Sequence, residues 1–237
     1  MLAAFITIVY RAPLIIVATM LMGSCSLAVM PFDKGGRMQL WCARVWARML
    51  CRLMGIRVTV EGLEKLDLSQ NYIFVSNHLS YADTPVLLAN ISSNFRFMAR
   101  AGLFRIPFLG HHLRTAGHIP VETENPRDAV RSMNDAGKTV REMGISLLIF
   151  PEGGRSNGVF GQFKGGAAFV AIKAGVPVVP LGLIGTRQIM PRDSKVIHSG
   201  NVRVRIGDPI AVEGLTLKDR ESFTAQLRSS VAQLLEP

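Results

Sequence analysis

Cysteine is scarce in this chain, and acidic residues are few. The 237 residues include three cysteines, Cys25, Cys42 and Cys51, all within the first 55 positions. Such a set supplies no disulfide framework. It is expected to serve as small buried apolar residues in a reducing cytoplasm. Seventeen Asp and Glu stand against 27 Lys and Arg, a net charge of +10. The pI is near 10.2, hydrophobic residues make up 49% and mean hydropathy is +0.27. A basic, apolar-rich chain suits an anionic bilayer and anionic lipid substrates. Nucleic acid would share the charge preference, but no stacking platform or recognition helix stands out, so no nucleic acid partner is expected. There is no internal repeat and no low-complexity tract. His111, His112 and His118 show no metal spacing and have no Cys near them, so neither metal nor cofactor is expected.

Charge is also absent from Ala12 to Phe32, 21 residues. That is long enough for a transmembrane helix. Pro13 and the turn Pro31 to Gly36 are expected to bound it. Arg11 precedes it, whereas Lys34, Arg37, Arg44, Arg48 and Arg52 follow. This bias keeps the downstream part on the cytoplasmic face of the inner membrane. A signal peptide is the competing reading, since Met22-Gly23-Ser24-Cys25 resembles a lipoprotein cleavage site. Met is a poor residue there and the apolar run continues past Cys25, so the segment is retained as an anchor. Residues 37–54 read as a second helix. Arg37, Arg44, Arg48 and Arg52 fall within about 80° on its wheel, and Leu40, Trp46, Met49, Leu50 and Leu53 occupy the rest. Two readings stand: a helix on the membrane surface, or one packed on the following domain.

Beyond residue 55 the pattern alternates. Strands are expected at 57–60, 72–75, 96–99, 118–121, 146–150, 178–183 and 202–206. Helices are expected at 84–90, 126–143, 165–174 and 218–235. The expected class is α/β, a mixed, largely parallel sheet flanked by helices, with an N-terminal two-helix membrane-associating segment. The division is 1–55 for the anchoring helices and 56–237 for one α/β domain, large enough for a single core. Arg96, Arg100 and Arg105 flank apolar stretches and are expected at solvent or at a membrane surface. The polar stretch Gly185 to Gly200, with Arg187, Arg192 and Lys195, reads as a loop over the site or as a solvated loop.

Three blocks carry the chemistry. In Asn77-His78-Leu79-Ser80-Tyr81-Ala82-Asp83, four residues separate a His from a carboxylate. The carboxylate can hold one ring nitrogen and leave the other free to take a proton. The bland alternative makes Asp83 a helix N-cap and His78 a polar turn residue. The block follows the apolar run Tyr72–Val75, so His78 lies just past a strand's carboxyl end, where open α/β sheets keep their ligands. The second block, Pro151-Glu152-Gly153-Gly154-Arg155-Ser156-Asn157-Gly158, also follows an apolar run, Ser146–Phe150. Glycine-freed backbone N–H groups and a fork-shaped Arg155 suit a phosphate. The third runs from Phe163-Lys164-Gly165-Gly166 through a helix to Val176-Pro177-Val178-Val179-Pro180. Lys164 is either a solvated helix-start residue or a substrate contact.

In family order, these blocks make residues 55 to 210 resemble the lysophosphatidic acid acyltransferases, glycerolipid acyltransferases with an HxxxxD motif. The resemblance implies acyl transfer from a thioester of acyl carrier protein or coenzyme A to the sn-2 hydroxyl of lysophosphatidic acid, giving phosphatidic acid. It implies His78 as general base and Asp83 as its orienter. Glu152, Gly153, Gly154, Arg155 and Ser156 would line the site for the acceptor's phosphate. In the second family motif, here Gly117-His118-Ile119-Pro120-Val121-Glu122-Thr123, Thr123 stands where the family has Arg. Arg127, one helical turn on, is the candidate substitute. Other acceptors, glycerol 3-phosphate or another lysolipid, fit the same pattern, and so does a catalytically silent membrane scaffold.

One decoy remains. Gly154-Arg155-Ser156-Asn157-Gly158 matches the hydrolase elbow G-x-S-x-G, with Asp193 and His198 downstream in triad order. An elbow needs strand, Ser and helix in immediate succession. Here Pro151 to Arg155 intervene, and Val159 to Gln162 make a poor helix start.

Overall fold

A computed structural model describes residues 1–122, 125–156, 158–191 and 193–236. Thr123, Asn157 and Arg192, singled out above, lie outside the described residues.

The chain opens with α1 (Leu2–Ile6), a π-helical turn (Thr7–Arg11) and α2 (Ala12–Val29), then a 3-10 turn at Met30–Phe32. Together they form one apolar helix, Leu2–Phe32. Pro13 does not bound it, as had been expected. The wide turn just before Pro13 accommodates the residue that lacks an N–H, and the helix continues through it. The helix is tied to the rest of the protein along its length. Thr7 Oγ1 accepts from the Ile197 backbone at 3.0 Å, Trp46 Nε1 donates to Thr19 Oγ1 at 3.0 Å, and Ser26 Oγ meets His112 Nδ1 at 2.8 Å.

A turn at Asp33–Gly36 leads to α3 (Arg37–Met54). Asp33 caps α3, its two oxygens accepting from the backbone of Arg37 at 2.9 Å and Gln39 at 2.7 Å. Leu40, Ala47, Leu50, Cys51 and Met54 are buried in the same core cluster as Phe74 and Leu148 of the sheet. Helix α3 therefore packs on the α/β body. Arg37, Arg48 and Arg52 stay exposed, while Arg44 departs from the expected stripe and donates to the carbonyls of Ile91 and Ser93. Cys42 and Cys51 are buried as expected, but Cys25 is exposed on the outer face of α2.

Seven strands follow: β1 (Ile56–Glu61), β2 (Ile73–Ser76), β3 (Phe95–Arg100), β4 (Ile119–Val121), β5 (Ser146–Ile149), β6 (Val178–Ile184) and β7 (Gly200–Ile206). Their order is β1-β7-β6-β2-β5-β3-β4, and every neighbouring pair is parallel except β6 with β7. The central strands β2 and β5 are buried at every position, as their unbroken apolar runs require with helices on both faces. The helices are α4 (Asp83–Asn90), α5 (Leu109–Thr115), α6 (Pro126–Met143), α7 (Gly166–Ala174), α8 (Thr186–Ile189) and α9 (Arg220–Leu235). Helices α3 and α4 cover one face of the sheet, with Leu50 and Leu87 in one cluster; α6, α7 and α9 cover the other, with Val140, Val170 and Leu227 in a second. The α/β class and the mixed, largely parallel sheet are as expected.

Arg96 corrects an expectation. It is 1% exposed rather than at the surface. Its guanidinium donates to the Gly35 carbonyl at 2.8 Å, the Asn94 side chain and the Phe95 carbonyl, fastening the α2–α3 turn to β3. Burial pushes its pKa down to about 10, with nearby Asp33 acting in the opposite sense. His118 is a second polar anchor, half-buried beside β3. Burial drives its pKa to about 3, so the ring is neutral, and its Nδ1 accepts the Phe97 N–H at 3.0 Å.

Candidate active site

The adjacent parallel strands β5, β2 and β6 all end on one side of the sheet. The loops after β2 and β5 carry the first two sequence blocks and Lys164, and the third block runs on from there through α7 into β6. After β2, the Asn77 side chain pairs with Leu183 of β6, donating to its carbonyl at 2.9 Å and accepting its N–H at 2.8 Å. That pairing extends the sheet by one side chain and fixes where the chain turns off at His78.

Asp83 is wholly buried at the start of α4. Its Oδ2 faces backward rather than along the helix. It accepts from His78 Nδ1 at 2.7 Å, from the Leu79 N–H at 2.7 Å and from the Ser80 N–H at 2.8 Å. The N-cap reading therefore fails: the carboxylate organises the loop before the helix and leaves the helix amides alone. Since Nδ1 carries its proton to Asp83, Nε2 is the basic nitrogen. Nε2 has no partner among the described residues. The ring stacks on Phe150 at 3.9 Å between centroids and 14° between planes, so one face of the imidazole is packed as well.

Glu152 follows Phe150 and reaches across to the same loop. Its Oε1 accepts the His78 N–H at 2.8 Å and its Oε2 the Gly161 N–H at 3.1 Å. Both oxygens hold backbone, so Glu152 clamps two loops together. Burial raises its pKa, and these two hydrogen bonds only partly oppose the rise. A raised carboxyl pKa stabilises the fold below the ordinary carboxylate value and loses that contribution as pH climbs through the raised one. Glu152→Gln removes this titration. Wild type is expected to lose thermal stability relative to Glu152→Gln between pH 4 and pH 7. Parallel melting curves across that range would refute the buried-carboxylate account.

Arg155 lies along the His78 loop. Its Nε donates to the Ser80 carbonyl at 3.1 Å, and its guanidinium carbon sits 4.0 Å above the Tyr81 ring. Ser156 donates its N–H to the His78 carbonyl at 3.0 Å. A side chain at Gly153, where φ is +76°, would meet Lys164 Nζ at 2.7 Å, so the Lys164 ammonium lies over this backbone. One expectation is corrected here. The Gly153 N–H is occupied by the Phe150 carbonyl at 3.1 Å, which leaves the exposed Gly154 amide for an anion. Thus His78, Asp83, Glu152, Gly153, Gly154, Arg155, Ser156 and Lys164 come together. Arg127 makes no hydrogen bond or ion pair with these residues among the described ones. It is exposed at the start of α6 beyond the edge strand β4.

The hydrolase geometry is not formed among the described residues. Ser156 Oγ is buried with no hydrogen-bond partner, His198 is exposed, and no helix begins before Gly166. A nucleophile needs its base within hydrogen-bond reach.

A family model described as Acyltransferase matches residues 57–184, more than half of the chain. The chain belongs to the acyltransferase family. A chloroplastic 1-acyl-sn-glycerol-3-phosphate acyltransferase of Arabidopsis thaliana is 39% identical over 171 residues, 71% of this chain and 47% of that protein. One from Borreliella burgdorferi is 31% identical over 78% of this chain and 74% of its own length. The human enzyme named 1-acyl-sn-glycerol-3-phosphate acyltransferase alpha is 31% identical over 76% of this chain and 64% of its own. The chain thus spans about half the length of the plant relative, and the matches fall short of covering either protein fully. Beyond sequence, the crystal structure of a 1-acyl-sn-glycerophosphate acyltransferase from Thermotoga maritima superposes with a TM-score of 0.81. The two are 23% identical, and the likeness covers 98% of this chain and 97% of that one, so the fold is shared from the apolar N-terminal helix onward.

Proposed function

We propose that this acyltransferase moves a fatty acyl group from a thioester of acyl carrier protein or coenzyme A to the sn-2 hydroxyl of lysophosphatidic acid. The product is phosphatidic acid. The observation that carries the reading is the Asp83–His78 hydrogen bond, which leaves Nε2 open beside a loop holding Arg155 and Lys164. The names of the relatives support the same acceptor.

In this mechanism Nε2 takes the proton of the acceptor hydroxyl as its oxygen attacks the thioester carbonyl. The imidazolium that forms is stabilised by Asp83. Collapse of the tetrahedral intermediate expels the thiolate, which takes the proton back from Nε2. No covalent acyl-enzyme is needed, because both substrates are held together. The acceptor's phosphate sits against Arg155 and Lys164, and the Gly154 amide faces the developing negative charge. Glu152 and Asp83 act by holding His78 in place.

Residues 1–55 are the membrane-anchoring segment in this reading, and 56–237 the catalytic domain. The Leu2–Phe32 helix is long and apolar enough to cross a membrane, and only 17% of its most apolar stretch is buried. Val17 and Met20 on α2, Trp41 on α3 and Phe108 before α5 all present exposed apolar surface. An apolar cavity of about 460 Å³ between α2, α3 and the loop before α5, lined by Met22, Leu27, Trp46 and Phe108, suits a hydrocarbon tail. The exposed arginines of α3 suit the anionic cytoplasmic face of the membrane.

Arg155→Ala is expected to raise the KM for lysophosphatidic acid by about tenfold or more, the loss of a charge-assisted contact to phosphate. Steady-state kinetics with the acceptor varied would check it. An unchanged KM would remove Arg155 from the phosphate site.

A further inference from the structure

The stretch after β6, read from the sequence as a loop over the site or a solvated loop, is built onto the active-site loop. The Tyr81 N–H donates to the Met190 carbonyl at 3.4 Å, the Ser80 hydroxyl donates to the same carbonyl at 2.7 Å, and Ser80 and Pro191 form an isolated bridge. Helix α8 is thereby fastened to the residues that carry the Arg155 guanidinium. Arg187 lies on α8, three residues before Met190. Its guanidinium rests against Gly158, at the far end of the glycine loop. A Cβ at position 158 would overlap Arg187 Nη1 and Cζ outright. Gly158 has φ +101°, so glycine is needed both for the backbone and to admit the cation.

Arg187 is exposed and makes no ion pair or side-chain hydrogen bond among the described residues. Other arginines brought to the protein body are occupied: Arg96 by the Gly35 carbonyl, Arg44 by Ile91 and Ser93, and Arg228 by Gly161. A guanidinium unpaired among the described residues and resting against a glycine loop presents a planar fork of N–H donors, the arrangement that recognises phosphate oxygens. The exposed Gly154 amide and the orphaned Ser156 hydroxyl lie on the same loop.

We propose that Arg187 is a second anion-binding residue of this site, sharing with Arg155 the recognition of a substrate phosphate. The inference deepens the acyl-transfer reading and rests on it. Two phosphates have the required chemistry: the monoester of the acceptor and the phosphate of the donor's phosphopantetheine arm, a diester on acyl carrier protein and part of a diphosphate in coenzyme A.

The test is steady-state kinetics of the full chain carrying Arg187→Ala or Arg187→Lys, with melting temperature as the control for folding. The expected result for Arg187→Ala is a rise of about tenfold in one KM with kcat within about threefold, partly restored by Lys. A rise for lysophosphatidic acid at saturating donor assigns the acceptor's monoester. A rise for both acyl-coenzyme A and acylated acyl carrier protein at saturating acceptor assigns the donor's phosphopantetheine phosphate. Unchanged KM values for all three in a normally melting variant would overturn the proposal. A parallel calorimetric titration of lysophosphatidic acid in detergent micelles uses the His78→Ala background. If wild type shows no turnover yet Arg187→Ala weakens this binding, the acyl-transfer reading fails and the anion site stands.

Discussion

His78→Ala is expected to lower kcat at least about a hundredfold while the protein melts close to wild type, because a positioned general base contributes on the order of 10²–10⁴ in rate. The fold has little to lose at this position. The His78 backbone N–H stays on Glu152 and its carbonyl stays on Ser156. Asp83 Oδ2 keeps the Leu79 and Ser80 amides. What disappears is Nε2 and the ring that stacks on Phe150. The measurement is turnover at saturating substrates together with a thermal melt. A variant that keeps most of its activity would remove His78 from the role of base.

Asp83→Asn is expected to damage both activity and stability. A single oxygen, Asp83 Oδ2, accepts three N–H donors at 2.7–2.8 Å in a site closed to solvent. An amide can offer one oxygen to that cluster, but without the charge that strengthens the bonds and without the charge that stabilises an imidazolium. If the amide turns over, its NH₂ faces three other donors. The expected cost is about 2–4 kcal/mol of stability, a fall of roughly 5–15 °C in Tm for a chain of this size. The expected loss in kcat is about a hundredfold or more. The pair of variants is therefore diagnostic: both lose activity, and Asp83→Asn alone loses substantial stability. A Tm equal to wild type in Asp83→Asn would mean that Oδ2 does not organise the loop.

Much of this was legible in the sequence, for identifiable reasons. The strands β2, β5 and β6 are short apolar runs flanked by polar or glycine-rich turns, and burial on both faces demands such runs. Their order in the sheet was not legible, because strand order depends on how helices cross over. Helix α5 was missed. It has seven residues, two histidines and an arginine, and no side-chain cap. Arg96 was misplaced for a different reason. Flanking apolar residues mark a buried strand, yet nothing local shows that backbone carbonyls of a distant turn, including Gly35, will receive its guanidinium. The start of the first helix was misjudged because Pro13 is a stop signal unless the preceding turn widens to accept it.

The site divides in the same way. His78, Asp83, Glu152 and Arg155 stand out by residue type and spacing, and the structure gathers them at one end of the sheet. Phe150 and Asn77 did not stand out as site residues. A phenylalanine at a strand end reads as core, and stacking on His78 is visible only in three dimensions. Asn77 was quoted only as the neighbour of His78, yet it locks the loop to β6. Arg187 was noticed only as one charge in a polar stretch, since its approach to Gly158 depends on the pairing of Ser80 and Tyr81 with Met190 and of Ser80 with Pro191.

The most direct test of the account is a product assay by thin-layer chromatography. Purified wild type and His78→Ala are each given lysophosphatidic acid and a labelled long-chain acyl thioester. Labelled phosphatidic acid from wild type alone is the predicted result, and it would establish the reaction and the base together. Labelled free fatty acid as the sole product, or equal phosphatidic acid from both proteins, would contradict it.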